Sequence, residues 1–198
     1  MNVDPVELRV LGCLIEKQKT TPQYYPLTLN ALVTACNQST NRHPVVDYDD
    51  ATIRTALASL SRRGWARLAS GPGSRAVKYR HLLDEALDVD GAEISLLTVL
   101  MLRGPQTPGE LKQRTERMHR FESVPEVIET LDRLMERELV ARLPRRPGQK
   151  EERYGQLLGG ESGGGVEETA APAEDDRFGS FERRLRELEE RVEALEQP

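Results

Sequence analysis

This sequence has little from which to build a catalytic or metal centre. It holds two cysteines and three histidines in 198 residues. His43, His81 and His119 stand apart, no two of them at the i,i+4 spacing that sets paired ligands on one helix face, and neither Cys13 nor Cys36 lies beside one. Both cysteines fall among helically spaced apolar residues, where a small buried thiol is the usual occupant. No Gly-rich loop follows a strand and opens a helix, because the glycines at 159–160 and 163–165 run into acidic low-complexity sequence. Long apolar runs are missing too. No stretch approaches the roughly 18 residues of a membrane span, and the start Met1-Asn2-Val3-Asp4 lacks a basic region followed by an apolar one. We therefore expect a cytoplasmic, non-enzymatic protein with no cofactor, metal, membrane contact or small-molecule ligand.

Lysine is also scarce, at 5 against 23 arginines, and the net charge of -5 is unevenly placed. Residues 1–85 hold 11 basic and 8 acidic side chains, residues 86–158 hold 12 and 13, and residues 159–198 hold 5 and 12. The acidity thus belongs to the tail and leaves the first 85 residues net positive.

What the chain does have is an internal repeat. At an offset of 75, residues 65–83 match residues 140–158 at 8 of 19 positions, with Ala66-Arg67-Leu68 on Ala141-Arg142-Leu143 and Tyr79 on Tyr154. Upstream the offset becomes 86, placing Leu11, Leu14 and Ile15 on Leu97, Leu100 and Met101, and Thr21-Pro22 on Thr107-Pro108, so the first copy carries 11 extra residues. Asp4-Pro5 with Glu7 predicts a capped helix, followed by helices over about 27–36 and 50–63 and a hairpin of 65–68 with 76–80 around Gly71-Pro72-Gly73-Ser74. The second copy predicts helices at about 92–103, from Thr107-Pro108, and from Ser123 with Val127, Ile128, Leu131, Leu134 and Met135 inward. Its hairpin is expected from 139–143 and 151–154. Three helices and a hairpin, twice over, predict a mainly α fold with small β-hairpins (α+β). We read it as two tandem winged helix-turn-helix domains over 1–85 and 86–158; the alternative is a three-helix bundle with an unrelated hairpin.

In a winged helix-turn-helix the third helix enters the major groove and the hairpin lies along the phosphates. With Ile53, Leu57 and Leu60 inward, the first copy offers Arg54, Thr55, Ser59, Arg62 and Arg63 from its third helix, and Arg67, Arg75, Lys78 and Arg80 from its hairpin. Arg54, Thr55 and Ser59 are the candidate base readers, and double-stranded DNA is the expected partner. The polar run 37–44, with Asn41 and Arg42, either reaches DNA or caps helix two and builds turns. Tyr24 and Tyr25 either stack on a ligand or bury against the extra loop. In the second copy Glu126, Glu129, Glu136 and Glu138 dominate the third helix, a face that repels phosphate.

Residues 159–177 read as a flexible acidic linker. Beyond it Phe178, Phe181, Leu185, Leu188, Val192 and Leu195 recur at spacings of 3 and 4, a heptad seam over 178–198. Arg184 and Arg191 at g would meet Glu189 and Glu196 at e in a parallel homodimer, with Phe181, Leu185, Leu188, Val192 and Leu195 as its contacts. The alternative is an amphipathic helix that folds back on the domains.

The run Leu14-Ile15-Glu16-Lys17, Thr20-Thr21-Pro22, Tyr25-Pro26-Leu27 and Leu29-Asn30-Ala31-Leu32, leading into Ala35-Cys36-Asn37-Gln38 and Asn41-Arg42-x-Pro44-Val45, closely resembles the bacterial YceH family. The resemblance covers about residues 5–158. It implies a pair of winged-helix domains and brings no activity with it. The chain departs from that family's pattern at Ser39 and His43, where the family carries Lys and Asp. Taken together, these features lead us to expect a DNA-binding protein of transcription-regulator type. The first domain would contact DNA, and the second domain and tail would mediate association. The alternative is a winged-helix adaptor that binds protein.

Overall fold

Two capping boxes in identical settings show how the repeat folds. Asp4 accepts the Glu7 N–H at 2.8 Å while Glu7 accepts the Asp4 N–H at 3.0 Å, which starts α1 (Pro5–Thr20). Asp90 and Glu93 make the same pair of bonds at the start of α5 (Gly91–Arg103). Each box satisfies N–H groups that a helix start leaves without partners. The two helices stand 86 residues apart, as the apolar match predicts.

The computed structural model describes residues 2–69, 76–145 and 151–160, all within one compact unit, Met1–Gly164. Between α1 and α5 come a 3-10 turn (Pro22–Tyr24), β1 (Leu27–Thr28), α2 (Leu29–Cys36), α3 (Asp50–Arg62), β2 (Ala66–Leu68), β3 (Lys78–His81) and α4 (Leu83–Leu87). After α5 come α6 (Pro108–Thr115), α7 (Val124–Glu136), β4 (Val140–Leu143) and β5 (Arg153–Gln156). The described residues therefore form a mixed α+β fold of seven α-helices with a three-stranded antiparallel sheet, order β1-β3-β2, and a two-stranded one, β4-β5. None of these helices is long and apolar enough to cross a membrane.

Two elements differ from the sequence reading. Helix two begins at Leu29, because Thr28 caps it and Leu27-Thr28 pair with Tyr79 and Lys78 as a strand. The short helix α4 went unpredicted. In the second half Gln106 takes the place of β1, exchanging two backbone bonds with Tyr154 at 2.8 and 3.0 Å.

The pairings also correct the repeat. Thr28 and Thr107 cap α2 and α6, an offset of 79, so Thr107-Pro108 matches Thr28-Leu29 and not Thr21-Pro22. Asp49 and Ser123 cap α3 and α7 at an offset of 74. Ala66 pairs with His81 and Val140 with Gln156, so the first strand of each hairpin keeps the offset of 74 while the second takes 75. The Ala-Arg-Leu identity is consequently out of register by one residue, a slip that would turn every side chain to the other face. The 11 extra residues resolve into seven before helix two and five before helix three, less one in the hairpin.

One continuous core joins the halves, with α1 packed on α5. Leu11, Leu14 and Ile15 are buried there together with Leu97 and Leu100, and each such side chain is worth about 2 kcal/mol. The helices approach closely at Gly12, where a Cβ would come within 2.7 Å of Leu102 Cγ and Cδ2.

Candidate nucleic-acid interface

Helix α3 buries Ile53, Ala56, Leu57 and Leu60, and this fixes what it shows to solvent. Arg54, Thr55, Ala58 and Arg62 are exposed, and Ser59 is half-buried. Arg54 leans toward Asp50, its Nη2 3.9 Å from Oδ2, and the Thr55 hydroxyl donates to Ala51 O at 3.0 Å. The start of this helix is acidic. Asp47, Asp49 and Asp50 are all exposed, and Asp49 accepts the Thr52 N–H at 2.8 Å. Those hydrogen bonds from Thr52 hold the Asp49 carboxyl below its usual range, so it stays charged.

The sheet beside α3 sorts its side chains by pleat. Ala66, Tyr79 and His81 take one face, which covers the core, and Leu68 and Val77 extend that face beyond the core's edge, exposed. Arg67, Lys78 and Arg80 take the other face, with Arg67 directly opposite Arg80. Like charges in that position destabilise a sheet. Arg80 is compensated by Glu85 at 2.8 Å, and Arg67 is exposed.

One expected contact turns inward. Arg42 is buried, and all five of its N–H donors are used: Nε to Ala35 O at 3.1 Å, Nη1 to Glu16 and Asn41 O, Nη2 to Glu16 and Gln38. Its fork on Glu16 measures 3.0 and 2.6 Å. Arg9 completes the arrangement from α1, donating to Cys36 O at 3.1 Å and Pro44 O at 2.6 Å. Both arginines meet the C-terminal carbonyls of α2, where cations are favoured. Asn41 accepts from Arg103 of α5, and His43 N donates to Leu102 O at 2.8 Å. The polar run is thus a strut between the halves, and the buried Arg42 leaves the DNA-contact set while Asn41 stays exposed.

Arg63 has a different task. It donates to Asn2 O at 2.9 Å and lies 3.9 Å from Glu7 Oε1, tying the end of α3 to the start of α1. Arg137 repeats this at the end of α7, donating to Asp88 O at 3.0 Å and to Leu87 O, and lying 3.6 Å from Glu93. Arg133 is held at 3.5 Å by Asp90 and 3.4 Å by Glu93. The outward face of α7 is left with Glu129, Asp132 and Glu136 exposed, and Glu138 is exposed just beyond its end.

Of the other sequence candidates, Lys78 is half-buried on the outer sheet face, while Arg75 and the seam Phe181, Leu185, Leu188, Val192 and Leu195 lie outside the described residues. Tyr25 is half-buried, its hydroxyl accepting the His81 N–H at 2.8 Å. Tyr24 is exposed beside an open cleft of about 260 Å³ that the first half's extra residues help to form. Cys13 and Cys36 are buried and free, and Cys13 donates to Ala35 O at 3.3 Å. The acidic start of α3 was legible in the sequence and passed over. The Arg67–Arg80 pairing was not, because it depends on hairpin register.

Residues 3–149 match the family described as "Protein of unknown function, DUF480". A UPF0502 protein of Geotalea daltonii is 49% identical over 192 residues, covering 92% of this chain and 88% of the relative. One from Geobacter metallireducens is 50% identical over 193 residues, covering 96% and 85%, and one from Opitutus terrae is 53% identical over 158 residues, covering 78% and 69%.

Proposed function

The chain belongs to the DUF480 family, whose function is not known, and from its surface chemistry we propose that it is a non-enzymatic, cytoplasmic DNA-binding protein of transcription-regulator type. We read each run of three helices and a hairpin as a winged helix-turn-helix, and residues 1–85 and 86–158 as two domains with different surfaces. The motif from Leu14 to Val45 we take to be that of YceH proteins. The observation that carries the reading is the asymmetry of the third helices. The first half exposes Arg54, Arg62 and Arg67 with Lys78 alongside, while the second ties Arg133 and Arg137 to its own carboxylates. Duplex DNA then meets the first domain, and the acidic face of α7 and the tail's heptad seam serve association and homodimerisation.

A fluorescence-anisotropy titration with mixed-sequence duplex at two salt concentrations tests this. We expect a dissociation constant tighter than about 10⁻⁴ M at low salt that weakens steeply as salt rises. Weaker binding, or affinity indifferent to salt, overturns the proposal in favour of a winged-helix adaptor, a role to which the exposed carboxylates of α7 would then point.

A further inference from the structure

Helix-turn-helix proteins read bases with the first residues of the third helix. Here that end carries Asp47, Asp49 and Asp50, and the one arginine among the neighbouring residues, Arg54, leans on Asp50 at 3.9 Å. The Thr55 hydroxyl is turned back to Ala51 O. A groove lined by phosphates repels such an end. The cations lie elsewhere: Arg62 at the far end of α3, and Arg67, Lys78 and Arg80 in a row on the outer face of the sheet. Of the directly opposed Arg67 and Arg80, Glu85 reaches Arg80, at 2.8 Å. An arrangement that weakens a sheet in isolation is offset when a polyanion lies across it.

We infer that double-stranded DNA is engaged sheet first, by Arg67 and Lys78 on the outer face of β2 and β3, and that the start of α3 stays out of the major groove. The inference rests on the DNA-binding reading and names its mode. Contacts from a sheet face to phosphates position the duplex without reading it, so the protein binds duplexes of unrelated sequence alike.

Full-length protein distinguishes the two modes in anisotropy titrations, with circular dichroism confirming that each variant is folded. Arg67→Gln with Lys78→Gln should weaken binding about 10- to 100-fold and flatten the log–log salt dependence by about two. Arg54→Ala with Thr55→Ala should change affinity less than about twofold, as should Asp50→Asn, and unrelated duplexes should bind within about threefold of one another. A several-fold gain from Asp50→Asn would place that carboxylate at the phosphates and overturn the inference. So would a loss carried by the helix pair, equal small effects from both pairs, or one sequence preferred by more than about 100-fold. Those outcomes leave DNA binding intact, whereas a wild-type protein without salt-dependent binding sinks both readings.

Discussion

The two third helices are built alike and finished differently. Each buries residues at the same four positions, Ile53, Ala56, Leu57 and Leu60 in α3, and Val127, Thr130, Leu131 and Leu134 in α7. Each ends in an arginine that reaches back to the first helix of its own half. Outside that shared frame, α3 shows arginines to solvent, and α7 spends its arginines on Asp90 and Glu93. The comparison teaches that charge content alone does not describe a surface. The second half has nearly balanced charges in sequence, yet its third helix presents an acidic face because its cations are already paired. Measurements that break the equivalence of the halves therefore say more than measurements on either alone.

The largest difference is the strut of residues 37–48, five residues longer than its counterpart before α7. Arg42→Ala should cost about 3–4 kcal/mol, since it removes a buried guanidinium and leaves the half-buried Glu16 carboxylate with Lys17 alone, at 3.5 Å. Burial acts to raise the Glu16 carboxyl, and the hydrogen bonds and charge of Arg42 outweigh that and hold it below the ordinary range. A lowered native value means the pair's stabilisation is complete above the unfolded value near pH 4.3 and fades as pH falls through the native one. Urea unfolding should show the deficit of Arg42→Ala at its largest near neutral pH and shrinking below about pH 4. A deficit under about 1 kcal/mol at neutral pH would return Arg42 to the surface.

Next in size is a titration confined to the first half. His81 and Gln156 occupy equivalent places at the ends of the second strands of their hairpins, and both accept a backbone N–H, from Leu83 at 3.3 Å and from Gly159 at 3.1 Å. Because Nδ1 of His81 is an acceptor, its proton lies on Nε2, which donates to Gln18 Oε1 at 2.5 Å. Burial pushes its pKa down to about 4. An unfolded histidine binds its proton near pH 6.5, so acid favours unfolding between those values and removes about 3 kcal/mol as pH falls to about 4. His81→Gln copies the second half, and should flatten stability against pH over that window. An unchanged pH dependence would mean that His81 is not the group responsible.

Much of this frame was legible in the chain, and its limits have physical causes. Caps at Asp4, Thr107 and Ser123 and the apolar stripes located the helices because both signals are local, while the Asp90 cap of α5 was missed. The hairpin match failed by one residue because identity of Ala-Arg-Leu says nothing about which strand position faces the core, whereas Ala66–His81 and Val140–Gln156 pairing does. Arg42 looked like a DNA contact because a polar loop beside a third helix reads the same whether its arginine faces out or in. Its partners Glu16 and Ala35 belong to other elements. The capping Glu7 was found and its counterpart Glu93 was not, nor that each also receives an arginine from the end of the third helix of its half, Arg63 and Arg137.

That repeated arginine gives the finest test. Arg63 donates to one carbonyl, and Arg137 donates to two and sits nearer its glutamate. Both side chains are more than a third exposed, so water screens the ion pairs and the carbonyl bonds should dominate, at about 1 kcal/mol each. Arg137→Ala should then cost about 1–2 kcal/mol and Arg63→Ala about 0.5–1 kcal/mol, with added salt changing either little. Chemical unfolding of the two variants, at low and high salt, ranks them. If Arg63→Ala proves the more costly, or if salt erases both effects, the clamp is electrostatic and its equivalence in the two halves has been misread.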